Sequence, residues 1–152
     1  MRRLSFVVLV VLAAGLLTNC GDDSTGPAQI PNFEGLYAYT GSVNGAPELS
    51  LAGTLSITNQ SGSTASIVQN ITLRYSGVPV IVLTTVSPST ASLTSGGAIS
   101  WGFTGSGDFG DGVTRTWTHQ QAGNLSGNLI EGNWTLTVSG LGTDAGPFSA
   151  QR

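Results

Sequence analysis

The feature that most restricts the fold is an alternation of apolar and polar side chains that continues through most of the chain after Phe33. It is clearest in the segments LSLAGTLSIT (49–58) and GNWTLTVS (132–139). A period of two residues is that of a β-strand with one buried face, and a helix would need a period near 3.6. The segments therefore predict antiparallel strands, each with one face in water.

The same pattern gives the inward face of a third segment, ASIVQNITLRY (65–75). The apolar positions of like parity there are Ala65, Ile67, Ile71, Leu73 and Tyr75. The segment PVIVLTTVSP (79–88) alternates least, which allows burial on both of its faces.

Turn-forming residues separate these segments, among them Asn44-Gly45, Ser76-Gly77 and Ala122-Gly123-Asn124. Spacings of about 8–12 residues between turn signals are typical of all-β sandwiches and barrels. The chain is therefore expected to be all-β, with one domain over residues 33–152. Short connections favour an antiparallel meander of about eight or nine short strands closed as a small barrel, and a β-sandwich is the alternative.

Charge restricts the partners of this domain. The chain has five Lys and Arg residues against eight Asp and Glu residues, and a net charge of −3. Two of the five cations, Arg2 and Arg3, belong to the leader described next. An acidic domain repels the phosphate backbone, so no nucleic-acid partner is expected.

Residues 1–20, MRRLSFVVLVVLAAGLLTNC, have a basic start followed by an apolar run. That run is shorter than the roughly 20 residues needed to cross a bilayer. The pattern predicts a helical secretory signal peptide and export of the protein. Residues 21–32 contain two acids, two Pro residues and no apolar period, and they predict a flexible tether.

The end of the leader, Leu17-Thr18-Asn19-Cys20, resembles the lipobox of bacterial lipoproteins. The resemblance implies that Cys20 carries the lipid, including palmitate, and anchors the protein to a membrane of the cell envelope. Gly21 after the cysteine implies the outer membrane or cell surface. Asn19 departs from the small residue usual before the cysteine. An unmodified thiol or an uncleaved leader are the alternatives.

Gly35-Leu36-Tyr37 near the start of the domain and Arg152 at its end resemble the lipocalin or calycin barrels in outline. In that family a Gly-x-Trp motif on the first strand packs against a late arginine. Here a tyrosine stands in place of the tryptophan. The resemblance implies a closed barrel with Arg152 across Tyr37.

The string GSGDFGDG (105–112) spells a glycine-rich nucleotide motif, but VTRTWTHQQ after it alternates as a strand does. A dinucleotide site needs a helix at that point. We therefore expect a hairpin loop and no cofactor. Asp108 and Asp111 are weak candidates for Ca²⁺ ligands, because this ion prefers several oxygen ligands.

On the strand after this loop, Arg115, Trp117 and His119 share one face. Pointing inward, they would form a pocket for a lipid or an anionic amphiphile. On the outer face or at the barrel mouth, Arg115 would instead stack on Trp117.

The chain offers little for catalysis, because it has one His, no Lys and no thiol in the domain. We expect a non-enzymatic envelope lipoprotein whose β domain is a structural or interaction module that meets an envelope protein or glycan. The alternative is a lipocalin-like barrel that binds a small ligand.

Overall fold

The structure is a computed structural model that describes residues 28–85 and 87–152. It contains nine strands in this part of the chain, which are β1 (Gly35–Val43), β2 (Ala46–Ser61), β3 (Thr64–Tyr75), β4 (Val78–Thr84), β5 (Ser89–Leu93), β6 (Ala98–Asp108), β7 (Thr114–Ser126), β8 (Leu129–Val138) and β9 (Gly142–Gln151). The described ranges hold no helix with the length and apolar character of a membrane span. The predicted all-β class is confirmed.

The sheet closes on itself as an antiparallel barrel. Its strands follow the order β2-β1-β9-β8-β7-β6-β5-β3, and β3 also pairs with β2, which completes a ring of eight. The first and last strands meet in this ring, where Ala38 of β1 lies opposite Gln151 of β9. Closure of the ring supports the predicted barrel and excludes the sandwich.

The ninth strand, β4, lies outside the ring. It pairs with the second half of β3, from Asn70 to Tyr75, while β5 pairs with the first half, from Thr64 to Ile67. β6 pairs with β5 only near its start, at Ile99 and Ser100. Among the described residues, β4 therefore has no sheet partner on the side that faces β6. We call the space between β4 and residues 103–108 of β6 the β4–β6 gap.

The alternation in the sequence fixes which side chains enter the barrel. The apolar residues of one parity in 49–58 and 132–139 are buried, as predicted, except that Leu49 is half-buried. In the third segment, 65–75, Tyr75 does not follow the predicted burial. It is 55% exposed, because β3 ends there. β4 is not buried on both faces, since Ile81 and Leu83 point inward whereas Val82 is exposed.

The GSGDFGDG string forms the predicted hairpin, but the loop is shorter than expected. β6 continues to Asp108, which pairs with Thr114, so only residues 109–113 connect the two strands. Gly105 and Gly107 are thus strand residues. A β-carbon at Gly105 would lie 2.3 Å from the Trp117 ring, so the missing side chain makes room for this indole.

One end of the barrel, the Phe33 end, is tightly sealed. Phe33 and Tyr37 have no exposed surface, and the Tyr37 hydroxyl donates to the Phe33 carbonyl at 2.8 Å. The Arg152 guanidinium lies over the Tyr37 ring, 5.7 Å from its centre. This is the contact implied by the calycin resemblance, although membership of that family stays a prediction.

The opposite end, the Asp108 end, carries the turn of each hairpin β1–β2, β3–β4, β6–β7 and β8–β9. Apolar side chains nearest to it keep slight exposure, with Val43 and Leu73 at 7% and Ile81 at 9%. The Asp108 end is therefore the less sealed of the two.

The predicted signal peptide, including Cys20, and most of the predicted tether lie outside the described residues. The last tether residues contact the Phe33 end. The Gln60 side chain donates to the Pro31 carbonyl at 2.8 Å, and Ile30 packs against the core. The chain therefore joins the barrel at the Phe33 end.

A substitution at Gly53 tests how closely β2 and β3 approach one another. A β-carbon there would lie 2.0 Å from the Asn70 carbonyl oxygen, which is part of the backbone of β3. We expect Gly53→Ala to lower the free energy of unfolding by about 2–3 kcal/mol, since β3 must shift. Gly96→Ala, where space is open and φ is ordinary, should change it by less than about 0.5 kcal/mol. Urea unfolding measures both, and equal losses would contradict the close approach.

Candidate functional site

A polar cluster occupies the interior of the barrel. Gln69, His119 and Gln121 are its members, and they are the buried polar side chains in the described part of the chain. Gln121 Nε2 lies 2.8 Å from His119 Nδ1 and donates to Gln69 Oε1 at 3.0 Å. Gln69 also donates to the Leu83 carbonyl at 3.1 Å. Because Gln69 is on β3 and the other two are on β7, the cluster links opposite walls of the barrel.

His119 is neutral in this setting. Gln121 Nε2 lies 2.8 Å from Nδ1 and 3.1 Å from Nε2 of the His119 ring, and Gln69 Nε2 lies 3.2 Å from Nδ1, so amide donors face the ring. Burial lowers the pKa of His119 from 6.5 to about 4, because the charged form would lose its hydration. The only histidine of the chain therefore adds no charge to the interior near neutral pH.

Several buried polar atoms around this cluster have no hydrogen-bond partner within the protein. They are the Tyr39 hydroxyl, Nε1 of Trp101, Nε1 of Trp117 and Oε1 of Gln121. Burial of an unpaired polar group costs about 1–3 kcal/mol, so native proteins seldom leave several of them together. Three of the four can donate a hydrogen bond, so the interior has an excess of donors.

Aromatic rings surround these polar atoms. Tyr39 stacks on Phe148 with ring centres 5.2 Å apart, and Trp101 meets the same Phe148 edge-on at 5.6 Å. Trp134 packs edge-on against His119 at 5.8 Å. Burial raises the pKa of the Tyr39 hydroxyl well above its usual value, although the nearby Gln121 opposes the shift. Tyr39 therefore stays protonated and remains a donor.

The structure separates the three residues predicted to form a pocket. Trp117 and His119 lie inside the barrel, where Trp101 and Phe103 of β6 join them. Arg115 lies at the rim of the Asp108 end, with its Nη1 2.6 Å from Asp111 Oδ1. Among the described residues, the cation that covers an aromatic ring is Arg152, and Arg115 is not stacked on Trp117.

The ion pair at the rim is exposed and local. The hydrogen bond from Arg115 lowers the pKa of Asp111, and the same bond raises the pKa of Arg115. Arg115 is paired within its own hairpin, so its charge is not directed into the barrel.

The two loop carboxylates predicted as weak Ca²⁺ candidates are occupied by protein donors. Asp108 Oδ1 accepts the N–H groups of Gly110, Asp111 and Gly112 at 2.8–3.1 Å. Asp111 Oδ1 accepts from Val113 and from Arg115. The described residues contain no cluster of three metal-ligating side chains. A cation at this loop would have to displace the guanidinium, so its carboxylates are better explained as turn-forming groups.

The outer face carries a shallow groove of about 490 Å³ across β6, β7 and β8. Outward hydroxyl and amide side chains line it, including Ser100, Gln120 and Asn133. This face has the Ser- and Thr-rich character expected of the solvent-exposed face of the strands.

Three residues of the interior site were missed by the sequence-based reasoning, namely Tyr39, Gln69 and Gln121. Gln69 has the same parity as Ile67 and Ile71, and a polar residue within an inward apolar series was the available signal. Gln121 continues the Trp117 and His119 series by one step. Tyr39 lies two residues after Tyr37, which was the residue that carried the family resemblance.

Comparison with known proteins identifies the fold only. No family model and no curated protein matches the chain. The structure of EF1p2_mFAP2b bound to DFHBI is similar, with a TM-score of 0.55 and 12% identity over 78% of this chain and 92% of that one. The structure of mFAP1, a redesigned β-barrel bound to DFHBI, has a TM-score of 0.51 and 14% identity over 78% and 94%.

The lowered pKa of His119 predicts a pH-dependent stability. As pH falls from 6.5 towards 4, the unfolded chain gains a proton on His119 that the folded barrel does not accept, so the free energy of unfolding decreases. The gap between 6.5 and about 4 corresponds to roughly 3 kcal/mol. Urea unfolding at several pH values measures the loss, and His119→Gln should remove most of it. A variant with the same pH dependence as the wild type would contradict the assignment.

Proposed function

We propose that this protein is a ligand-binding β-barrel whose interior holds a small, uncharged molecule. The proposal rests on the four buried polar atoms that have no partner within the protein, one of which, Gln121 Oε1, belongs to the His119 cluster. A ligand that accepts hydrogen bonds would satisfy the donors of Tyr39, Trp101 and Trp117, while the aromatic rings contact its apolar body. The likeness to two barrels that bind DFHBI is in agreement with this proposal, although it concerns the fold.

The charges favour an uncharged ligand over the anionic amphiphile expected from the sequence. The buried polar side chains of the described chain are two amides and a histidine with a pKa of about 4. Arg115 is paired with Asp111 at the rim. Transfer of an anion into such an interior costs far more than transfer of a neutral molecule, because no cation balances it.

Three small aromatic probes test the proposal on the full-length chain. Coumarin is uncharged and has oxygen atoms that accept hydrogen bonds. Naphthalene is uncharged and has no hydrogen-bond acceptor, and naphthoate is an anion. We expect coumarin to change the tryptophan indole N–H resonances in NMR spectra and to bind at least tenfold more tightly than naphthoate, as the excess of donors and the lack of a cation require.

Arg115→Gln is the matched control, and it should leave coumarin binding unchanged. Preferential binding of naphthoate that depends on Arg115 would instead support an anion site at the rim. Failure of all three probes to shift any indole resonance would overturn the interior site.

We further propose that the barrel is exported and anchored to the cell envelope, at the outer membrane or cell surface, through a lipid on Cys20. The lipobox-like sequence at residues 17–20 supports this proposal. The described chain joins the barrel at the Phe33 end, which is therefore the end nearer to the anchor along the chain. An interaction module that meets envelope proteins or glycans stays the alternative prediction.

Labelling of cells with palmitate tests the anchor. We expect the label on the wild-type protein and none on Cys20→Ser, which should also move from the membrane fraction to the soluble fraction. Label on both proteins, or on neither, would contradict lipidation at Cys20.

A further inference from the structure

The barrel wall is interrupted at the β4–β6 gap, near the Asp108 end. β6 has β7 as its partner along residues 103–108, while β4 pairs with β3, and no hydrogen-bonded strand pairing joins β4 to β6 in the described chain. Nearer the Phe33 end, the Ser89 hydroxyl donates to the Gly102 carbonyl at 2.8 Å and connects β5 to β6. The opening is thus limited to one half of the barrel.

An apolar side chain of β4 lies across this gap at Gly107. Ile81 of β4 lies directly against Gly107 of β6, where a β-carbon would be 2.5 Å from Ile81 Cδ1. The contact is therefore between the tip of a rotatable side chain and bare backbone, without hydrogen bonds across it. Ile81 can leave by rotation about its side-chain bonds, at a smaller cost than separation of paired strands.

The unpaired donor of Trp117 lies beside the same point. Trp117 Nε1 is 4.0 Å from the position that a Gly107 β-carbon would occupy, and the residue is only 4% exposed. Nε1 has no partner within the protein. A buried indole N–H next to a gap in the wall can donate to an atom that arrives through the gap, and it has no other acceptor there.

The geometry points to the β4–β6 gap as the binding site and entrance of an uncharged aromatic molecule that bears a carbonyl or ring oxygen. This inference rests on the proposed interior binding function and locates it. The oxygen accepts the Trp117 Nε1 hydrogen, and the aromatic body takes the place of Ile81 against Gly107. Asp108, at the end of β6, keeps its negative charge while one of its oxygens accepts three N–H groups, and Arg115 is paired, so the β6–β7 hairpin offers the gap no unpaired cation.

Two alternatives to a ligand in the β4–β6 gap predict different results. A ligand deep in the barrel would use Trp101 and Tyr39, which lie nearer the Phe148 ring, and would not need the gap. A water molecule alone could also satisfy Trp117 Nε1, and then no aromatic probe would bind there.

Coumarin and naphthalene distinguish these cases on the full-length chain. Coumarin should bind about tenfold more tightly than naphthalene, and Trp117→Phe should abolish that preference, because it removes the N–H donor and keeps an aromatic ring. Trp101→Phe is the matched control and should retain the preference. Ile81→Ala should speed coumarin association about tenfold, whereas Val82→Ala, on the outer face of the same strand, should not.

The result that overturns the gap site is a preference for coumarin that survives Trp117→Phe but is lost in Trp101→Phe. That outcome would leave the interior binding function intact and place it deeper. Absence of binding by either probe would overturn both proposals and leave water as the partner. If Trp117→Phe fails to fold, the wild-type Trp117 indole N–H resonance decides, since coumarin and not naphthalene should shift it.

Discussion

The structure depends on the hydrogen-bonded pairing of β1 with β9, the first and last strands, because this pairing closes a sheet that is otherwise built mainly from strands adjacent in the sequence. Eight strands complete a ring, and in this ring each strand finds a neighbour on both sides for at least part of its length. A ring removes the exposed edges at which a sheet would otherwise pair with other chains. The exception is the β4–β6 gap, where the chain leaves the ring to form β4. In the part of the chain that the structure describes, this interruption of the wall lies beside an unsatisfied interior donor.

The fold could be predicted from the sequence because its main determinant is local. Alternation sets the inward face of each strand, and turn residues set the strand ends, so the strand number and the closed meander followed. The register of Asp108 with Thr114 could not be predicted, because Gly105 and Gly107 resemble turn residues in isolation. Only their contacts with distant side chains, Trp117 at Gly105 and Ile81 at Gly107, show that the missing side chains provide space within a strand.

The candidate site was partly predictable for a related reason. Parity placed Arg115, Trp117 and His119 on one face and left open whether that face points inward. The structure buries Trp117 and His119, whereas Arg115 lies where the strand reaches the rim. Gln69 and Gln121 were missed because a polar residue at an inward position has no local signature of its partner. Their pairing joins β3 to β7 across 52 residues of sequence, and only the closed ring brings them together.

The contact between β1 and β9 affects the rate at which the barrel folds. The Thr40 and Ser149 hydroxyls lie 3.0 Å apart although 109 positions separate them along the chain. Proteins rich in such distant contacts fold slowly, since a long loop must close before the contact forms. Until then the edges of the first and last strands are exposed and can pair with other incompletely folded chains. Assembly of this barrel is therefore the stage at which a chaperone that shields extended segments would have its greatest effect.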